Sequence, residues 1–148
     1  MGLIEIIKHH RRIMFDTAPI IYFIEEHKDY GKITDNIFTI LKNDYNYCAF
    51  SSVITLSEVL TKPLKDGRKD IVEKYRQFLL NSINFVIYPV DAIIAEKAAL
   101  LRAIYDIKTP DAMQLSTGIE NQGTIFITND KNLKKVKEIE VLVLQDYI

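Results

Sequence analysis

The sequence predicts an α/β fold: a central, mostly parallel five-stranded sheet with helices on both faces, in a Rossmann-like three-layer arrangement. Three observations predict it. Five short runs rich in β-branched and aromatic residues recur along the chain, each about the length of a strand buried on both sides. Longer stretches with helical spacing separate them, as crossover-linked parallel strands require. The chain has 148 residues, 48% apolar and 26% charged, enough to bury a continuous core without disulfides or a structural metal.

Residues 1–148 are expected to form one domain, with 1–11 as an N-terminal extension and 12–148 as the core. Glu5 interrupts an apolar run already too short for a signal peptide, and the basic run Lys8–Arg12 reads as a solvated lead-in to the first strand. No stretch is long enough to span a bilayer, and Ile6 stands where a myristoylation signal has Ser or Thr. A cytoplasmic protein with no membrane contact is therefore expected. RIMFD (Arg12–Asp16) is the first strand, and helices follow over about Pro19–Glu26 and Ile33–Asn43. YCAFS (Tyr47–Ser51) is the second strand; it carries Cys48, the single cysteine, which excludes a disulfide or cysteine-based zinc site within the chain. A helix over Val53–Thr61 leads to PLKDGR (Pro63–Arg68), whose Pro and Asp-Gly signals predict a mobile loop. The next helix is Lys69–Ser82 and the third strand lies within Asn84–Val90. Asp91 caps a helix over Ala92–Tyr105, Thr109 and Pro110 open another to Asn121, and Gly123 closes it. TIFIT (Thr124–Thr128) and VLVL (Val141–Leu144) complete the sheet.

Ligands of such sheets bind beyond the carboxyl ends of the strands. Four acids fall there. Asp16 ends the first strand, Asp130 follows the fourth, Asp111 sits in the first turn of its helix, and Glu58 lies about one turn inside SSVITLSEVL. Each has an ordinary structural role open to it: Asp111 as a dipole partner, Asp16 and Asp130 as helix caps, Glu58 paired with Lys62 four residues on. Their conjunction argues for more. Two unit charges about 4 Å apart repel by about 4 kcal/mol at an effective dielectric near 20. No arginine or histidine recurs beside the acids, so a cation from outside the chain is the natural neutraliser. An all-oxygen donor set suits Mg²⁺ or Mn²⁺ rather than zinc, and such ions serve phosphoryl or phosphodiester chemistry. Three classes remain open: a metal-dependent nuclease, a binding module whose acids hold a metal or partner without turnover, and a phosphotransfer domain. A dehalogenase-like phosphatase would want an aspartate where Ala18 stands, and no Gly-x-x-x-x-Gly-Lys loop is present for a triphosphatase.

Four segments, FDTAPIIYFIEE, SSVITLSEVL, TPDAMQLSTG and TIFITNDKNL, resemble the PIN domain family in its own order, in particular the VapC-like ribonuclease toxins of prokaryotic toxin–antitoxin pairs. The resemblance runs from about Arg12 to the C-terminus. It implies a Mg²⁺- or Mn²⁺-dependent ribonuclease with Asp16, Glu58, Asp111 and Asp130 as its acidic quartet. Asp16 and Asp111 would be the most direct ligands, and Glu58 and Asp130 would ligate or orient water. Thr17, Thr128 and Asn129 would support the acids by hydrogen bonding. A homodimer, an RNA substrate and an antitoxin segment covering the acidic pocket are implied as well. The chain departs from the family at Ala18, where many members are polar, at Leu133, where an aromatic is common, and in its longer N-terminal extension.

The formal charge of −1 gives no overall positive field, so RNA contacts must be local. Lys62, Lys65 and Arg68 after Glu58, Lys131 and Lys134 after Asp130, and Arg102 ahead of Asp111 are the candidates. Tyr22, Tyr45, Tyr47, Tyr75 and Tyr105 are available either to stack bases or to pack.

Overall fold

The computed structural model describes residues 1–148. Its strands are β1 (Arg12–Phe15), β2 (Cys48–Ser52), β3 (Phe85–Tyr88), β4 (Ile125–Thr128) and β5 (Glu140–Val143). They form a single sheet in the order β3-β2-β1-β4-β5, every pairing parallel. The helices are α1 (Leu3–Lys8), α2 (Thr17–Ile24), α3 (Gly31–Lys42), α4 (Val53–Lys65), α5 (Lys69–Asn81), α6 (Ala92–Tyr105) and α7 (Thr109–Glu120), with short 3₁₀ turns at Lys131–Lys135 and Leu144–Tyr147.

Strand alternation sorts the core into two layers. Ile13 and Phe15 of β1, with Ile125 and Ile127 of β4, face one apolar cluster with residues of α1 to α5. Met14, Phe50 and Phe126 point the other way, into a cluster with α6, α7 and Leu133. Successive strand side chains point to opposite faces, and here both faces are covered, which is why the strands read as unbroken apolar runs.

Several boundaries differ from the sequence reading for identifiable reasons. Helix α1 places Leu3 and Ile7 in the first apolar cluster. Arg12 is not a solvated lead-in: its Nε donates to the Asn121 carbonyl at 2.9 Å, a guanidinium nitrogen donates to the Tyr88 hydroxyl at 2.8 Å, and the group lies 5.1 Å from the Phe50 ring centre. Helix α2 begins at Thr17 because Asp16 caps it; Pro19 then occupies its third position, where an N–H would have no intrahelical partner. Helix α4 runs through the buried Pro63 to Lys65, so the expected loop shrinks to Asp66–Arg68. It closes with Asp66 N–H to the Lys62 carbonyl at 2.9 Å and Arg68 N–H to the Pro63 carbonyl at 2.8 Å.

The end of α7 sets the entry into β4. Gln122, not a glycine, takes the left-handed conformation, with φ of 59°. Its N–H bonds the Ile119 carbonyl at 3.1 Å and the Gly123 N–H bonds that of Gly118 at 2.7 Å, a Schellman closure. Gly123 is needed for space, since a Cβ there would meet the Gly118 oxygen at 2.8 Å.

Candidate active site

All five parallel strands end on one edge, and β1 and β4 lie side by side at its centre. Asp16 is the first residue after β1, and its extended backbone makes it the N-cap of α2. Its Oδ1 accepts from Thr17 N–H at 2.9 Å and its Oδ2 from the Thr128 hydroxyl at 2.8 Å. The residue is 9% exposed. Burial pushes its carboxyl up to about 6; the Thr128 and Thr17 hydrogen bonds oppose the rise, and the negative charges of Asp111 and Glu58 add to it.

Thr128 ends β4, is fully buried, and accepts the Asp130 N–H at 3.1 Å while it donates to Asp16. It therefore ties two of the acids together. Asp130 also has the structural role read from sequence: its Oδ1 accepts from Asn132 N–H at 2.9 Å and caps the following 3₁₀ turn.

Glu58 lies in the second turn of α4, and its Oε1 accepts from the Thr17 hydroxyl at 2.6 Å. The pairing with Lys62 that its spacing leaves open does not form. The ion pairs are Arg68–Asp70 and Lys134–Asp146, His10 Nε2 lies 2.7 Å from Glu140, and none of these touches the four acids. Asp111 is the third residue of α7 and half-buried. Burial raises its pKa first, then the charges of Asp130 and Glu58, and Lys108 acts in the opposite sense.

Asn129 does not hold Asp130. Its Nδ2 donates to the Tyr22 hydroxyl at 3.1 Å and its Oδ1 accepts from Gln145 N–H at 2.9 Å, so it pins the loop carrying Asp130 to α2 and the C-terminal turn. Lys134 and Arg68 are engaged by their acidic partners, and Arg102 Nε donates to the Ile107 carbonyl at 3.4 Å. Lys62, Lys65 and Lys131 are exposed and stand in no ion pair.

Sequence reading missed a buried polar layer beneath this rim. Gln114, one turn beyond Asp111 on α7, is 1% exposed. Its Oε1 accepts from Ser52 Oγ at 2.5 Å, and its Nε2 donates to Thr55 at 2.6 Å and to Thr17 at 3.2 Å. Ser51 donates to the Phe15 carbonyl at 2.8 Å and lies 2.7 Å from Thr55 Oγ1. The available signal was polar side chains at inward positions: Gln114 within DAMQL, and Ser51, Ser52 and Thr55 where β2 passes into α4.

No three His, Cys, Asp or Glu side chains stand close enough to close on one ion. Yet charge repulsion links all four acids. The two facts concern different ranges: direct ligation of Mg²⁺ needs oxygens at about 2.0–2.1 Å from the ion, whereas repulsion acts across longer gaps. Mg²⁺ keeps several of its waters and takes one or two carboxylates directly. The donor set, all carboxylate with two members pushed toward protonation, fits such an ion. A hollow of about 400 Å³ lies elsewhere, around Phe38, Phe78 and Phe85 where β2 and β3 begin. Its lining carries no carboxylate, so it is separate from the four acids.

The fold and site thus define a parallel α/β domain with an acidic rim at the carboxyl edge of its sheet. The sequence pattern of the PIN domain matches residues 13–139, and the chain belongs to the PIN domain family. No curated protein matches it in sequence. Among solved structures it is similar to VapBC2 from Rickettsia felis bound to a promoter DNA fragment (TM-score 0.73, 20% identity, covering 89% of this chain and 98% of that one). It is also similar to DNA-bound VapBC from Salmonella typhimurium (0.69, 16%, 90% and 98%) and to a toxin–antitoxin complex from Klebsiella pneumoniae (0.66, 21%, 88% and 96%). At these identities the likeness shows the fold.

Proposed function

We propose that the protein is a Mg²⁺- or Mn²⁺-dependent endoribonuclease and the toxin of a toxin–antitoxin pair. The observation that carries this reading is geometric: Thr17 and Thr128 join Asp16 by hydrogen bonds to Glu58 and to the Asp130 backbone at the carboxyl edge of the sheet, and no ion pair touches any of the four acids. Asp16, Glu58, Asp111 and Asp130 would hold the cation, which when bound supplies charge compensation at phosphate oxygens and Lewis acidity toward water. The chain's own residues do the placing. Thr17 N–H and the Thr128 hydroxyl occupy one lone pair on each Asp16 oxygen, and the Thr17 hydroxyl holds Glu58. Lys108, already close enough to act on Asp111, adds a positive charge for a phosphate, and exposed Lys62, Lys65 and Lys131 would follow the RNA backbone. Arg68 and Lys134 would exchange Asp70 and Asp146 for phosphate, while Arg102 would leave a backbone carbonyl.

Membership of the PIN family supports nuclease chemistry, and the fold shared with VapBC toxin–antitoxin complexes supports a protein antitoxin as partner. The homodimer, the antitoxin segment over the rim and the cytoplasmic setting rest on the motif resemblance of the sequence. No helix is long and apolar enough to cross a membrane. A second reading, a PIN-fold RNA- or protein-binding module without turnover, draws on the lack of three acids closing on one point.

The test is purified protein with single-stranded and structured RNAs in Mg²⁺ or Mn²⁺, with EDTA, Asp16→Asn and Asp111→Asn as controls. Cleavage in the cation, lost with EDTA and in both variants, is the expected result. Cleavage that persists in both variants overturns the assignment, and binding without cleavage on every RNA favours the second reading.

A further inference from the structure

Gln114 is a fully buried amide on the helix that carries Asp111, and a buried amide is costly unless each of its polar atoms is bonded. No buried side-chain polar atom in the protein lacks a partner. Counting protons around Gln114 leaves a single directed arrangement. The Ser51 hydroxyl donates its only proton to the Phe15 carbonyl, so in the 2.7 Å contact with Thr55 it is the acceptor, and Thr55 has spent its proton on Ser51. Thr55 Oγ1 then accepts from Gln114 Nε2. Ser52 Oγ accepts the Ile54 N–H as the cap of α4 and gives its proton to Gln114 Oε1. The second proton of the Gln114 amide goes to Thr17, which leaves the Thr17 hydroxyl one proton, aimed at Glu58 Oε1. Reversing the amide would turn an N–H onto Ser52, leave the Ser52 proton without its acceptor, and draw the Thr17 proton away from Glu58.

We propose that Gln114 is the positioning residue of the acidic site: by donating to Thr17 it commits the Thr17 hydroxyl to Glu58 and so holds Glu58 in place beside Asp16. This rests on the reading of the four acids as a cation site. A competing arrangement is built in. Thr17 and Thr55 hydroxyls are 3.1 Å apart, and with Gln114 in place neither has a proton for the other. Remove the amide and both hydroxyl oxygens lose the N–H donation that Gln114 Nε2 shares between them, so a Thr17–Thr55 hydrogen bond competes with Glu58 for the Thr17 proton. The sequence motif carries the same logic, since Gln114 follows Asp111 by three residues and shares its side of α7.

The experiment measures Mn²⁺ affinity by EPR of free Mn²⁺ with the full chain, and thermal unfolding in EDTA, for wild type, Gln114→Met, Gln114→Glu, Thr17→Val and the Thr17→Val/Gln114→Met pair. Gln114→Met keeps volume and loses the donors; Gln114→Glu keeps shape and reverses them. Each single variant is expected to weaken Mn²⁺ binding by about 10- to 100-fold. In the Thr17→Val background Gln114→Met is expected to add little, because the residue it acts through is gone; a merely structural loss would multiply in full. Wild-type affinity in Thr17→Val, or full multiplication in the double variant, overturns the proposal even if a Gln114 variant fails to fold. A wild type that binds no Mn²⁺ refutes the cation reading itself, and the proposal with it. Binding by wild type that Gln114→Met matches refutes the positioning role alone.

Discussion

Replacing Asp16 by asparagine should stabilise the cation-free protein at neutral pH, although it removes the acid central to the proposed chemistry. The folded carboxyl titrates at about 6, against about 3.9 in an unfolded chain. An acid with a raised folded pKa binds more protons in the folded state, so its contribution is fully present below about pH 4 and is lost as pH rises through 6. Above that window the gap between the two pKa values costs about 3 kcal/mol. The asparagine would keep the Thr17 N–H bond through its carbonyl oxygen. Its amide would face Thr128, which already accepts from Asp130, so the Thr128 proton would lose its acceptor at a cost of about 1 kcal/mol. The net gain is about 2 kcal/mol, or about 5 °C for a chain of this size. The assay is thermal unfolding of wild type and Asp16→Asn in EDTA at pH 7.5 and pH 4; taking the difference between the two proteins cancels the other titrating groups. The gain should appear at pH 7.5 and vanish at pH 4. Added Mg²⁺ should then raise the wild-type Tm and leave the variant unmoved. A variant less stable than wild type at pH 7.5, or equally stabilised at both pH values, refutes the argument that Asp16 is buried against its own charge.

Two predictions concern the scaffold. Gln122→Gly should raise stability by about 1 kcal/mol, seen as a higher urea midpoint at unchanged m, because glycine enters the left-handed closure of α7 without the strain a side chain meets there. Phe126→Ala should destabilise by about 3–5 kcal/mol by the same measurement, since Phe126 is wholly enclosed between β4 and the α6–α7 layer and leaves a cavity.

The strand and helix pattern was legible because it is local and periodic. Runs such as TIFIT and alternations such as VITLSEVL declare which neighbours face the same way, whatever they pack against. What escaped depended on partners far along the chain. Helix α4 was expected to stop before Pro63, but the proline is buried and the last turn closes on the Lys62 and Pro63 carbonyls. The basic run Lys8–Arg12 reads as solvated in sequence, but the partners of Arg12, Tyr88 and Asn121, lie 76 and 109 residues away.

For the site, local signals in the sequence put Asp16, Glu58, Asp111 and Asp130 at strand ends and helix starts, and the family resemblance added Thr17 and Thr128. It could not distribute their hydrogen bonds. Asn129 stands next to Asp130 yet serves Tyr22 and Gln145, and Thr128 reaches across to Asp16, because adjacent residues on an extended segment face opposite ways. Gln114 reads in sequence as one more polar residue in a helix. Only the crossing of α7 over β2 and α4 makes it buried, bonded on every side and pointed at Thr17. Residue type and spacing therefore settled the layers and where acids could stand, since these follow from short-range geometry. Which hydroxyl turns toward which carboxylate was decided by the tertiary structure, since a proton's direction depends on every donor and acceptor packed around it.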